Sequence, residues 1–367
     1  MKILILTSKC GMGHFQCAKA ICERMEIGDL SSVLDSVEIV DIYEVKSEKR
    51  AKYFYKAYNL LVDKGNKLYN LSYKAIRKQT DNQLLLRLID SMLVEDFDGL
   101  IQSRKPDVVI STYSFASELM ADFKERTGSL IPLITWITDV NPHEGWVNPY
   151  TDHYIVADRV TKRALVTFGV SEAKINIGGI PVSQSFNLPM GKREHSKKRI
   201  LMVGGGLGLL PKKKSFYRKL SSEKDVELTV VTGKNRQLYH MLTKHFPHIR
   251  ALGYVHNMNE LMQEADLILT KAGGMTTFEA IQSEKPMIIF RPFLEQEIHN
   301  AEYVASMEMG YILSSRVEGS KFDVPFIVNI LKNELLLERM RSNVKRVKNA
   351  IDDQVLDHIL MERCVNL

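Results

Sequence analysis

The sequence predicts an α/β protein made of two Rossmann-like halves, each a parallel sheet with helices on both faces. Short β-branched runs alternate with helical periods along nearly the whole chain, the pattern of repeated strand-helix-strand units. The alternation breaks at a polar stretch, SFNLPMGKREHSKK (185–198), and then begins again. The length, 367 residues, exceeds what one hydrophobic core usually serves.

In the first half the strands read as KILIL (2–6), VEIVDI (37–42), DVVIST (107–112), PLITWIT (132–138), DHYIVA (152–157) and KINIGG (174–179). The second series runs KRILMVGGG (198–206), VELTVVTG (226–233), IRALGYV (249–255), ADLILTKAGG (265–274), KPMIIFRP (285–292) and GYILS (310–314). These set an N-terminal domain of 1–185 and a C-terminal domain of 186–349. From about 325 to 367 no Gly or Pro follows Pro325, and the stretch reads as helix.

Hydrophobic residues make up 45% of the chain and charged residues 26%, with a mean hydropathy of −0.14, which excludes a disordered chain and a polytopic membrane protein. No run approaches the roughly 18 consecutive apolar residues of a membrane span, and MKILILTSKC lacks the features of a signal peptide. The expectation is a cytoplasmic protein. Cys10, Cys17 and Cys22 crowd one segment while Cys364 stands far away, which gives no disulfide framework. The spacing of Cys10, His14 and Cys17 matches no zinc signature, so no metal is expected.

The net charge of +6 is local: Lys46–Thr80 holds ten Lys and Arg against Glu48 and Asp63. Aromatics are interleaved there, and Phe54, Ala57, Tyr58 and Leu61 repeat at helical spacing. Two readings are open. One is a basic amphipathic helix on an anionic membrane surface, touching it through Lys49, Arg50, Lys52, Tyr53, Phe54, Lys56 and Tyr58. The other is a solvated helix whose aromatic stripe packs on its own domain. No nucleic-acid motif accompanies the charge, and no nucleic-acid partner is expected.

Four motifs carry chemistry. After the first strand come Gly11, Gly13 and His14, a glycine loop running into a helix whose free N–H groups favour anions or polarised hydroxyls. His14 titrates near neutrality and stands on the carboxyl-end rim, where open α/β sheets bind ligands. Gly204, Gly205, Gly206 and Gly208 follow a buried strand and suit a diphosphate. In LTKAGGMTTFEA, Gly273 and Gly274 end a strand, Thr276 or Thr277 can cap a helix, and Glu279 falls in its first turn. There the carboxylate either complements the helix N-terminus or accepts hydrogen bonds from a ribose diol. In TWITDVNPHEGWVNPYTD, Asp139, His143 and Trp146 share a rim loop; an exposed Trp and His suit a sugar or lipid headgroup, and a Trp folded over the loop is the alternative. The triplet of Asp96 and Asp98 precedes a helix-like stretch and reads as surface charge.

Taken together these motifs resemble the family of monogalactosyldiacylglycerol synthases and processive diacylglycerol glucosyltransferases, relatives of the N-acetylglucosaminyltransferase that makes lipid II. GMGHFQCA is similar to the family's glycine loop with its His, and TDVNPHEGWVNPYTDHYIVA to its T-D…H…W segment. LMVGGGLG, GYVHNMNELMQEADLILTKAGGMTTFEA and the Gln296, Glu297, Asn300 pattern resemble its nucleotide-sugar half. Met12 stands where the family has a glycine, and Arg291 is a departure near the donor sugar.

The resemblance implies a GT-B fold, two Rossmann-like domains with parallel sheets facing a central cleft, and a last helix, about 350–367, packing back on the N-terminal domain. It implies an inverting glycosyltransferase moving a hexose from a UDP-sugar (UDP-glucose, UDP-galactose or UDP-N-acetylglucosamine) to a membrane-lipid hydroxyl, diacylglycerol first. His14 and Asp139 are the implied catalytic residues, and His143 and Trp146 the acceptor contacts. Backbone around Val255, with Met258 nearby, meets the uracil; Glu279 holds the ribose; Gly13, Gly204, Gly205, Gly206, Gly273, Gly274 and Thr276 line the donor phosphates; Gln296, Glu297 and Asn300 hold the sugar. The enzyme is expected peripherally bound to the inner face of the cell membrane. Transfer of N-acetylglucosamine or another sugar to a polyprenyl-linked or soluble acceptor, and a UDP-sugar 2-epimerase, are the alternatives.

Overall fold

The computed structural model describes residues 1–10, 12–27, 29–49, 51–53, 55–56, 94, 96–187, 196–292, 295–314 and 320–364. They form two compact units, Met1–Ser183 with Ile351–Leu367, and Gln184–Ala350.

The first unit holds strands β1 (Lys2–Thr7), β2 (Ser36–Asp41), β3 (Val108–Ser111), β4 (Leu133–Trp136), β5 (His153–Val156) and β6 (Ile175–Ile177), with helices α1 (Gly13–Ile27), α2 (Ser114–Thr127) and α3 (Arg159–Thr167). All pairings are parallel, in the order β2-β1-β3-β4-β5-β6. Being covered on both faces, β1 is apolar on both: Ile3 and Ile5 pack with Ala18, Ile21 and Met25 of α1, while Leu4 and Leu6 pack with Leu119, Met120 and Phe123 of α2. α2 stops at Gly128, which takes the left-handed conformation (φ +66°) and donates its N–H to Lys124. α3 starts at Asp158, whose carboxylate accepts the N–H groups of Val160 and Thr161, both at 2.9 Å.

The second unit holds β7 (Lys198–Val203), β8 (Val226–Val231), β9 (Arg250–Leu252), β10 (Leu267–Thr270), β11 (Met287–Ile289) and β12 (Gly310–Ile312), again all parallel, in the order β12-β11-β10-β7-β8-β9. Its helices are α4 (Lys214–Ser221), α5 (Arg236–His245), α6 (Met258–Glu264), α7 (Gly274–Gln282), α8 (Glu295–Ser306), α9 (Val324–Lys332) and α10 (Glu334–Lys348). In each sheet the strand order reverses once, between β1 and β3 and between β7 and β10. Ligands of open α/β sheets bind at such reversals, outside the carboxyl ends of the strands.

The C-terminal stretch read as continuous helix is three helices, α9, α10 and α11 (Val355–Cys364). The first break is at Asn333, whose side chain leaves the helical path to accept the Leu336 N–H at 3.1 Å and cap α10. α11 belongs to the first unit, where Val355, Leu356, Ile359 and Leu360 pack with Ile21, Met25 and Trp136. Among the described residues no helix is long and apolar enough to cross a membrane.

The glycines after β7 do different jobs. A Cβ at Gly208, where φ is +64°, stands 1.8 Å from the Thr232 carbonyl oxygen, and one at Gly204 stands 2.7 Å from the Leu209 nitrogen. Among the described residues nothing lies within 4 Å of a Cβ at Gly206. Gly208→Ala is therefore expected to cost more than about 2 kcal/mol in denaturant unfolding and Gly206→Ala less than about 1 kcal/mol. Equal costs would show that the loop is not packed in this way.

Candidate active site

His14 lies in the first turn of α1, at the reversal between β1 and β3. Its Nδ1 is 2.9 Å from the Thr112 carbonyl oxygen and 2.8 Å from Thr138 Oγ1. A carbonyl only accepts, so Nδ1 carries the hydrogen and the neutral ring keeps its lone pair on Nε2. Burial pushes the imidazole below its ordinary value, opposed by the Asp139 charge and the Thr112 bond. The neutral, proton-accepting form is thereby favoured at physiological pH. The Tyr113 ring packs 5.1 Å and the Trp146 ring 6.2 Å from the imidazole, centroid to centroid.

Asp139 follows β4 and is buried beside His14. The indole Nε1–H of Trp146 donates to its Oδ2 at 3.0 Å. Trp146 is 1% exposed, packed with Ile137, Tyr154, Leu165 and Ile175, and His143 is buried as well. An exposed Trp-His platform for the acceptor is thus absent from this loop. The short turn Glu144–Trp146 folds inward because burying an indole gains a large apolar contact area, and its N–H finds a partner in Asp139. The Thr112 carbonyl, which fixes the His14 tautomer, and the Thr138 hydroxyl beside it are contacts that motif reading missed. Their only signal was position: each residue stands just past the carboxyl end of its strand, Thr112 after β3 and Thr138 after β4.

In the basic segment, residues 48–49, 51–53 and 55–56 are helical. Lys49, Lys52, Tyr53 and Lys56 are exposed, while Arg50, Phe54 and Tyr58, with the stripe to Leu61, lie outside the described residues. Asp96 pairs with Lys46 at 3.1 Å and Asp98 with Arg126 at 2.7 Å, so both carboxylates of that triplet are engaged in ion pairs. Burial pushes the Cys10 thiol up to about 11, and among the described residues no group of His, Cys, Asp and Glu is arranged to hold a metal.

In the second unit the loops after β7 and β10 stand at the strand reversal. Thr270 Oγ1 ties them, 2.9 Å from the Val203 carbonyl and 2.8 Å from that of Lys271. Gly204, Gly205 and Gly206 leave β7; Gly273 caps α7 and Gly274 begins it, with Thr276 buried in the first turn. No threonine side chain caps the helix; Thr277 Oγ1 instead bonds back to the Gly273 carbonyl at 2.9 Å. Because α7 starts at Gly274, Glu279 falls in its second turn, beyond reach of the N-terminal N–H groups. That removes the helix-terminus explanation for its charge. Glu279 is half-buried, burial alone pushes its carboxyl up to about 7, and among the described residues nothing hydrogen-bonds or pairs with it.

Asn300, expected at the sugar, is 3% exposed and donates its Nδ2–H to the Ala272 carbonyl at 2.8 Å. It fastens α8 to the Gly273 loop rather than facing outward. Gln296 and Glu297 occupy the first turn of α8 and are half-buried. Val255 and Met258 follow β9, two strands from β7. Gly13 opens α1 in the first unit, and Arg291 is exposed after β11.

Residues 14–182 match the model of the monogalactosyldiacylglycerol (MGDG) synthase family, and residues 203–354 that of the glycosyltransferase family 28 C-terminal domain. A processive diacylglycerol beta-glucosyltransferase of Bacillus pumilus is 28% identical over 374 residues, covering 99% of this chain and 95% of its own. In fold the chain is similar to MurG of Acinetobacter baumannii (13% identity, 98% of each chain, TM-score 0.64). It is similar also to UDP-GlcNAc 2-epimerase from Neisseria meningitidis bound to UDP-GlcNAc (13% identity, 99% and 100% covered, TM-score 0.60). Two parallel six-stranded units of the GT-B kind and the paired family matches together show that the chain joins a domain of the monogalactosyldiacylglycerol synthase family to a glycosyltransferase family 28 C-terminal domain and is a glycosyltransferase.

Proposed function

We propose that this glycosyltransferase moves a hexose from a UDP-sugar to the hydroxyl of diacylglycerol, with inversion at the anomeric carbon, while docked peripherally on the inner face of the cell membrane. The observation that carries the reading is His14, a desolvated imidazole whose Nδ1 is committed to Thr112 and whose Nε2 lone pair is left for a substrate proton. The names of the curated relatives support diacylglycerol as acceptor and favour UDP-glucose among the UDP-hexoses. The fold alone does not separate transfer from epimerisation, since the Neisseria neighbour is an epimerase. What favours transfer to a lipid is the exposed row of Lys49, Lys52 and Lys56, for which an epimerase of a soluble nucleotide sugar has no use.

In this mechanism His14 Nε2 takes the acceptor hydroxyl proton as its oxygen attacks the anomeric carbon, and the sugar-phosphate C–O bond breaks with its electron pair leaving on UDP. Asp139, held by Trp146, stabilises the imidazolium that forms. The Gly206 loop and the N–H groups at the start of α7 meet the diphosphate, where negative charge grows. Glu279 accepts from the ribose diol, the Val255 backbone meets the uracil beside Met258, and Gln296 and Glu297 meet the sugar hydroxyls.

His14→Ala is expected to lower kcat by about 10²- to 10⁴-fold while UDP affinity changes little. Near-normal turnover would remove His14 as the base.

Glu279→Ala is expected to weaken UDP binding by about 1.5–3 kcal/mol in calorimetry. The raised carboxyl also has a signed consequence. Between the ordinary carboxylate range and about pH 7 the folded protein holds a proton that the unfolded chain has lost, so stability falls as pH rises through that window. Glu279→Gln should flatten this fall and raise the thermal midpoint above pH 7. Unchanged UDP affinity together with an unchanged midpoint would mean that the carboxylate faces solvent and holds nothing.

Docking through Lys49, Lys52 and Lys56 requires acidic lipid, because each Lys or Arg near an anionic surface contributes on the order of 1 kcal/mol. Sedimentation with anionic vesicles should weaken as the Debye length shortens from roughly 30 Å at 0.01 M salt to about 8 Å at physiological strength. Changing the three lysines to Gln should abolish it and leave turnover on a detergent-dispersed acceptor. Equal binding to neutral vesicles would leave the helix merely solvated.

A further inference from the structure

The helical residues 48–49, 51–53 and 55–56 present two faces. Lys49, Lys52, Tyr53 and Lys56, at i, i+3, i+4 and i+7, are exposed; Ala51 and Tyr55, at i and i+4 on another face, are buried and half-buried. The Tyr55 hydroxyl donates to Asp41, 2.7 and 2.6 Å from its two oxygens, at the carboxyl end of β2. Asp41 is 4% exposed and also accepts the Tyr43 N–H at 3.1 Å and the Lys9 N–H at 3.3 Å. The Tyr55 oxygen shares that Lys9 N–H at 3.2 Å. Further along, the Lys9 carbonyl accepts the Met12 N–H at 3.3 Å and the Met12 carbonyl the Gln16 N–H at 3.0 Å, inside the turn of α1 that bears His14. Met12 has φ +63°, a conformation that favours glycine, so the turn leading into His14 depends on bonds such as these to keep its shape.

We propose that Asp41 and Tyr55 are positioning residues for His14, and that their tie carries the docking of the outer face of the basic helix to the loop that sets the base. The tie stands on geometry alone; its coupling to catalysis rests on the proposed function, with His14 as base and Lys49, Lys52 and Lys56 as the docking face. Nothing in Asp41 or Tyr55 has to touch substrate. A carboxylate at the end of β2 is simply where the helix, the Lys9 amide and the Met12 turn are held together.

Tyr55→Phe tests this, since it keeps the ring and removes only the O–H. Amide hydrogen exchange followed by mass spectrometry should speed up at least about fivefold in the peptide covering 8–14 and stay at wild-type rates in peptides from 184–350. On diacylglycerol in anionic vesicles kcat should fall about tenfold, with the UDP-glucose KM and vesicle sedimentation within about twofold of wild type. Asp41→Asn, which keeps an acceptor oxygen, should lose less than Asp41→Ala, and adding Tyr55→Phe to Asp41→Ala should lose nothing more. Wild-type exchange across 8–14, or a kcat near wild type in Tyr55→Phe, overturns the proposal. So does exchange that rises throughout 1–183, because the bond would then support the unit and not the loop. Failure of the underlying reading shows instead in the wild-type protein, as no transfer to diacylglycerol or no vesicle binding. The coupling then falls with it, and the exchange result decides the tie.

Discussion

Both sheets add strands first toward one edge and then toward the other, and that single reversal fixes where chemistry can occur. From β1 the chain goes to β2 on one side and later to β3 on the other; from β7 it goes to β8 and later to β10. With right-handed crossovers, helices after the reversal cover the opposite face, so the two loops part and leave a crevice at the carboxyl ends. Across the first crevice His14 meets Thr112, 98 residues away in sequence, at 2.9 Å. Across the second, the loops after β7 and β10 are joined by the Thr270 hydroxyl. Each pairing is set by topology before any side chain is chosen.

In that crevice the imidazole Nδ1 is met by the Thr112 carbonyl, which only accepts, and by the Thr138 hydroxyl, and the groups around them are hydroxyls too. Thr7, Thr112 and Thr138 are all buried, and the Thr112 hydroxyl lies 2.8 Å from Thr7 Oγ1. Hydroxyls suit the place because a rotor satisfies either role, whereas a second titratable group would shift the ring. Asp139 is the exception: its charge raises what burial lowers. Trp146 makes the exception tolerable by covering Asp139 with an apolar ring while giving it an N–H. The setting of the His14 imidazole thus depends on an aromatic residue from the neighbouring loop as well as on the strand that carries its Thr112 partner.

Much of this was legible in the sequence, for reasons that also explain the rest. Alternating strand and helix periods are local signals, so both sheets and the polar break could be read directly. Gly273, Gly274 and Glu279 were legible as a set, but the helix start was placed by its threonines; the extended backbone at Gly273 begins α7 earlier and moves Glu279 into the second turn. Asn333 carried its own stop-and-restart signal, an Asn before Glu334 and an apolar run, and it was hidden by the absence of Gly and Pro. The burial of Trp146 had no local sign, because Tyr154, Leu165 and Ile175 come from other elements. Thr112 and Thr138 have none either: a threonine at a strand end becomes a His partner only once the strand order is known.

The glycines show why a motif and a function are different statements. Gly204 and Gly208 are required by the protein's own packing, since a Cβ at either meets backbone at 2.7 and 1.8 Å. Among the described residues nothing lies within 4 Å of an added Cβ at Gly206 or Gly273, so no contact there explains them. Among the described residues the half-buried carboxylate of Glu279 has no hydrogen-bond or ion-pair partner, so its polar requirements are not met there. A carboxyl raised to about 7 by burial alone weighs against the folded state at neutral pH. Such a group is retained where a bound molecule returns the missing hydrogen bonds, and the donor proposed above, with its diol and its diphosphate, is a molecule of that kind.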